Sequence, residues 1–208
     1  MSREPQRPRP RIESLTDLIF GLALSIGALG LVNNKPGTLQ DLEASVVFFG
    51  FGFLILITIW LRYTETMSVL PAETGRTRRL NVLLLFLVAL EPYLFNLIIG
   101  SSGGLSAKDG SAAYALDIGA IYAILASFNN VLASKQRNLV APDLIRKYGL
   151  VRDLQIVTAA IFLISILPQL YVPILAVGIV TVPARYLLWT ITFFFSRGTW
   201  ILKRLGKL

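Results

Sequence analysis

ASVVFFGFGFLILITIWL, residues 44–61, runs from Glu43 to Arg62 without a single charge. A helix needs about 20 apolar residues to cross roughly 30 Å of hydrocarbon, and this stretch alone nearly reaches that length. Other parts of the chain repeat the pattern. Of the 208 residues 54% are hydrophobic and only 15% charged, with a mean hydropathy of +0.65, against about a quarter charged in soluble domains. The charges collect at a few points, so membrane spans rather than a soluble core organise the chain.

Apolar runs bounded by charge, proline or glycine predict six transmembrane helices at about 14–33, 44–66, 80–100, 111–134, 154–171 and 173–196. The fold class expected is all-α and polytopic. Pro168 near the end of the fifth helix and Pro173 at the start of the sixth demand a very tight turn between them. As one span those residues would be too long.

Orientation follows from the cations. One side holds Arg3, Arg7, Arg9 and Arg11; Arg62, Arg76, Arg78 and Arg79; Lys135, Arg137, Arg146, Lys147 and Arg152; and Arg197, Lys203, Arg204 and Lys207. That is seventeen against two, Lys35 and Lys108, with Arg185 inside the sixth helix. Positive charge favours the cytoplasmic side, so both termini are expected there, in a multi-pass protein of the cell membrane.

Residues 1–11 read as a disordered basic tail, residues 12–200 as the six-helix domain and residues 201–208 as a basic C-terminal tail. The apolar segment after the first tail is too long for a signal-peptide core. Gly100-Ser101-Ser102-Gly103-Gly104 reads as a flexible linker, and Ala141-Pro142-Asp143 as a turn in the longest cytoplasmic loop. No strong internal repeat is visible, so the inverted-repeat signature of many secondary transporters is missing.

The chain has no cysteine and no histidine. Disulfides, thiolate chemistry, the commonest metal ligand and the usual general base are therefore absent, and no cofactor is expected. Isolated acids without a partner base do not make an enzyme site. The net charge of +8 does not imply nucleic acid, because the aromatics that would stack on bases lie inside apolar runs. Basic cytoplasmic loops explain it.

Ionisable groups at membrane depth remain the functional candidates. They are Glu13 at the membrane edge, Asp17, Glu91 beside Pro92, Asp117 and Arg185. Glu91 and Arg185 both fall near mid-membrane and suit an interhelical ion pair. Together with Asp117 they also allow the competing reading, an ion-coupled secondary transporter. Helix 1 is distinctive. Ala23, Gly27 and Gly30 form a smooth face for close helix approach. Leu22, Ile26 and Leu29 form a stripe beside it, flanked by Ser25, and spacing alone suits a lipid-facing stripe at least as well as a pore-lining one. Ser14-Leu15-Thr16-Asp17 fits a helix-capping box.

Arg11-Ile12-Glu13-Ser14-Leu15-Thr16-Asp17, followed by a small-residue-rich span, resembles the opening of helix 1 in the transmembrane-protein-175 family of potassium channels, where Arg and three residues precede Phe-Ser-Asp. Phe51 to Tyr63, with Trp60, and Leu80-Asn81 opening the third helix agree with the same family. Leu15 and Thr16 replace the Phe and Ser, and Tyr63 stands where the family has His, so its polar network is at most partly kept. The resemblance carries over Arg11, Asp17, Trp60 and Asn81, with Thr16 at the hydroxyl position. It implies a homotetramer around a central pore lined by helix 1. Leu22 and Ser25 match the family's pore positions, and Ile26 and Leu29 continue the stripe, which favours pore lining. The partners implied are potassium ions, held only in transit, the lipid bilayer and further copies of the chain.

The topology is open to a direct test. Reporters fused after Leu208 and inserted at Gly103-Gly104 are expected on opposite sides of the membrane; the same side for both would break the six-helix count.

Overall fold

A computed structural model describes residues 11–33, 37–70, 75–99, 107–134, 141–177 and 180–196. The expected linker at 100–104 and the two tails, at 1–10 and 201–208, lie outside these residues. Six α-helices follow in order: α1 Arg11–Asn33, α2 Leu39–Met67, α3 Gly75–Ile99, α4 Ala107–Leu132, α5 Pro142–Ile164 and α6 Ala184–Ser196. Between α5 and α6 come a 3₁₀ turn, Pro168–Tyr171, and two short strands, β1 Pro173–Val177 and β2 Val180–Pro183. Four helices, α1 to α4, are long and apolar enough to cross a bilayer, which makes the chain a multi-pass membrane protein.

Local chemistry sets the boundaries. Thr38 caps α2: the Asp41 amide donates to Thr38 Oγ1 at 3.1 Å, and the Thr38 amide donates to Asp41 Oδ2 at 3.0 Å. Helix α1 starts at Arg11, so Arg11 belongs to the helix rather than the tail. Ser14 is then already inside the first turn and cannot serve as its cap, which corrects the capping-box expectation.

The last third of the chain departs furthest from the expected spans. Helix α5 begins at Pro142, which occupies its first turn, because proline has no amide to leave unpaired there. Ala141-Pro142-Asp143 is thus a helix start, and Arg146, Lys147 and Arg152 ride on α5 instead of a loop. The expected sixth helix at 173–196 is replaced in its first half by an antiparallel hairpin pairing Pro173 with Pro183 and Val177 with Val180. Pro183 would remove a bond from the interior of a helix over 173–196, and the β-branched residues before it suit strands.

Helix α4 is the centre of the bundle, packed against α3 on one side and α5 on the other. Its Tyr114, Ile118, Ile121 and Leu125 are fully buried. Two glycines permit this closeness. A β-carbon on Gly119 would lie 3.1 Å from Leu163, and one on Gly110 would lie 3.0 Å from the Leu97 backbone. An aromatic chain then ties four helices together: Phe95 to Tyr114 at 5.4 Å, Tyr114 to Trp189 at 5.3 Å and Trp189 to Phe162 at 5.6 Å between ring centroids.

Arg185 closes the same end of the bundle. Fully buried, it donates to the Ser165 carbonyl at 2.6 Å, the Ile166 carbonyl at 3.1 Å and the Lys108 carbonyl at 3.1 Å, and also to the Ser111 hydroxyl. Its guanidinium lies 5.3 Å from the centre of the Tyr171 ring. One side chain therefore satisfies the carbonyls left over at the end of α5 and joins them to the first turn of α4. Arg185→Leu strands these acceptors; loss of about 3 kcal/mol is expected, read as a fall on the order of 10 °C in the melting midpoint of the detergent-purified protein. An unchanged midpoint would remove Arg185 from this role.

Candidate functional site

Helix α1 presents two unlike faces. Thr16, Phe20 and Ala23 are buried, four and then three residues apart, and face the rest of the subunit. The small residues continue that face: Gly27 lies where a β-carbon would sit 3.6 Å from Phe49 of α2, and one on Gly30 would fall 2.6 Å from Asn96 Oδ1 of α3. The smooth face expected for close helix approach is used within the subunit. On the opposite side Leu15, Leu18, Leu22, Ile26 and Leu29 are 47% to 58% exposed, spaced three or four apart in a single stripe. Ser25 lies among them, its hydroxyl donating to the Gly21 carbonyl at 2.8 Å. That bond uses the hydroxyl proton and leaves oxygen lone pairs free to accept.

Two hydrogen bonds fix the rotation of α1 about its axis. Trp60 Nε1 donates to Asp17 Oδ1 at 3.0 Å, and the Thr16 and Tyr63 hydroxyls lie 3.3 Å apart. Phe20 packs on the Tyr63 ring at 6.2 Å. Trp60 and Tyr63 are three residues apart on α2 and so share a face, as do Thr16, Asp17 and Phe20 on α1. Tyr63, read from the sequence as a departure that weakens the network, is a working member of it. A tyrosine one turn beyond the tryptophan was the available signal.

The other expected members fare differently. Asn81 is buried, but its Oδ1 has no partner in the protein, and it is not joined to Asp17. The side chain of Arg11 lies outside the described residues. Glu91 and Arg185 do not pair. Glu91 instead accepts a hydrogen bond from the Tyr114 hydroxyl at 3.2 Å, while Arg185 is occupied by backbone carbonyls at the end of α5. The hairpin places Arg185 at the mouth of α6, away from the middle of a span, and this removes the pairing that equal depth had suggested. Asp117 is buried with both carboxylate oxygens unpartnered by protein. Of the three groups of the transporter reading, the two acids lie inside the subunit within electrostatic reach of each other, and the cation is bound to backbone carbonyls at the end of α5.

A further polar bridge escaped the sequence reading. Asn129 of α4, fully buried, donates to Gln155 of α5 at 2.9 Å and to Thr66 of α2 at 3.3 Å. Each of these residues is unremarkable in an apolar run until its partner is known. No group of three or more potential metal ligands occurs among the described residues.

Comparison with known proteins bears on this arrangement. Residues 11–92 match the family described as endosomal/lysosomal potassium channel TMEM175. The fold is similar to that of a lysosomal potassium-selective channel TMEM175 homolog from Chamaesiphon minutus, with a TM-score of 0.58 and 18% identity over 89% of this chain and 93% of that one. It is also similar to a variant of the potassium channel MtTMEM175 crystallised with a nanobody fusion protein, with a TM-score of 0.52 and 18% identity over 99% of this chain and 96% of that one. No curated protein matches. The matched segment contains the α1 stripe, Asp17, Trp60 and Tyr63, and the structural likeness extends over α4 to α6 as well. Residues 11–92 thus match the TMEM175 potassium-channel family, and the overall fold is similar to that of solved TMEM175 channels.

Proposed function

We propose that four copies of this chain surround a central pore lined by α1 and conduct potassium passively across the cell membrane, with both termini on the cytoplasmic side. The observation that carries the reading is the division of α1: small side chains packed inward, large aliphatic ones and Ser25 left open on the opposite face. In a single subunit that stripe faces nothing. Around a four-fold axis Leu22, Ile26 and Leu29 form stacked apolar rings, with a layer of Ser25 oxygens between the first two. A narrow aliphatic ring opposes conduction by shedding water, because an ion crossing it loses hydration that leucine cannot replace. Widening the ring lets water and ions through, and potassium preference rests on constriction size and on the hydroxyl layer. The relatives named above are described as potassium channels, which supports the choice of ion.

In this reading the bonds from Asp17 to Trp60 and from Thr16 to Tyr63 hold α1 at the rotation that points the stripe to the axis. Asp17→Ala removes the acceptor of the Trp60 indole and is expected to weaken tetramer assembly in detergent, at a cost of about 1–3 kcal/mol per subunit. Size-exclusion chromatography with light scattering reads the result, and a fully retained tetramer would make the bond dispensable. Leu22→Asn supplies polar oxygens to the ring, so cation flux into liposomes should rise and discrimination between potassium and sodium should shrink. Unchanged flux per assembled tetramer for Leu22→Asn, Ile26→Asn and Leu29→Asn alike would overturn the pore assignment.

A further inference from the structure

Away from the α1 stripe, a groove of about 1010 Å³ opens among the start of α3, the end of α4 and the outer face of α5. Arg76 and Arg152 line it together with the exposed Ala123, Ile156, Ala160 and Leu163. From Arg152 to Leu163 α5 climbs about 16 Å at 1.5 Å per residue. That is close to half of a hydrocarbon slab of roughly 30 Å, the depth of one leaflet.

We propose that this groove seats an anionic phospholipid, its phosphate between Arg76 and Arg152 and one acyl chain along the seam of α4 and α5. The charge fits. Arg76 is exposed and makes no ion pair among the described residues. Arg152 is held in place by Asp153 at 2.8 Å and by Asn130 Oδ1 at 3.1 Å, and a guanidinium with five N–H groups retains donors for a phosphate. Asp153 offsets one of the two cations, so the groove is left with a single net positive charge that a phosphodiester neutralises. Basic sites between transmembrane helices at the cytoplasmic face are suited to anionic lipid headgroups. Along α5 the lining is aliphatic, and the exposed Ile156 and Leu163 offer van der Waals contact to an acyl chain.

Thermal unfolding of the full-length protein in detergent, with added phosphatidylglycerol, phosphatidylcholine or inorganic phosphate, tests the assignment. Phosphatidylglycerol is expected to raise the midpoint by about 5 °C, and the other two to leave it unmoved. Arg76→Gln, at an exposed position without an ion pair among the described residues, should raise the phosphatidylglycerol concentration needed about tenfold. Ala160→Trp, which sets an indole in the aliphatic part of the groove, should do the same without touching the charges. Equal shifts with both lipids, a shift with phosphate alone, or a wild-type response in either variant would overturn the proposal. So would a changed subunit number in Ala160→Trp with the lipid response intact, which would give the groove to a second copy of the chain.

Discussion

Backbone amides and carbonyls inside a bilayer have no water to turn to, so each must find its partner in the protein. For α1 to α4 the helices themselves meet this demand. Beyond Ile164 they cannot, because Pro168, Pro173 and Pro183 interrupt the ladder. The chain answers with a hairpin and with Arg185, whose guanidinium takes up the carbonyls of Ser165, Ile166 and Lys108. A buried cation is costly alone, but here carbonyl dipoles, a hydroxyl and the Tyr171 ring surround it. Trp189 adds a bond from its indole to Ser165 Oγ at 2.9 Å, so the end of α5, the start of α4 and α6 share one joint.

That joint ties α4, α5 and α6 together, and α3 and α1 are linked to it in turn. The aromatic chain from Phe162 through Trp189 and Tyr114 to Phe95 passes from α5 to α3, and α3 in turn receives Gly30 of α1 against Asn96. At the other end of α1 the contacts with Trp60 and Tyr63 fix its rotation. Helix α1 is thus held at both ends on its small-residue face, and the large aliphatic stripe can look nowhere but outward.

Polar residues within the apolar slab serve mostly as glue. Asn129 bridges α2, α4 and α5, and Glu91 is tied to Tyr114 across α3 and α4. Such bonds contribute modestly to stability in membranes, about 1 kcal/mol each, but they set register because an unpartnered polar group there is penalised. Among the described residues the exceptions are Asp117, with both oxygens unpartnered by protein, Asn81 Oδ1 and Gln155 Nε2.

Charge-free stretches, read against hydrocarbon thickness, were enough to place α1 to α4 and to define a membrane protein, since burial in lipid depends on composition and length rather than on any partner. The opening of α1 and the Trp60 stretch of α2 likewise carried the resemblance to TMEM175 channels and named Asp17 and Trp60, which the fold brings to 3.0 Å. The sequence could not separate lipid, protein and water as the environment of a given residue. Glu91 and Arg185 fall at similar depths in the expected spans, yet one bonds a tyrosine and the other caps carbonyls, because a hairpin displaced the start of α6. Tyr63 and Asn129 gained their roles only from residues 47 and 26 positions away, Thr16 and Gln155. Hydropathy is a property of one segment, whereas a hydrogen bond between helices belongs to two, and only the tertiary structure decides which two meet.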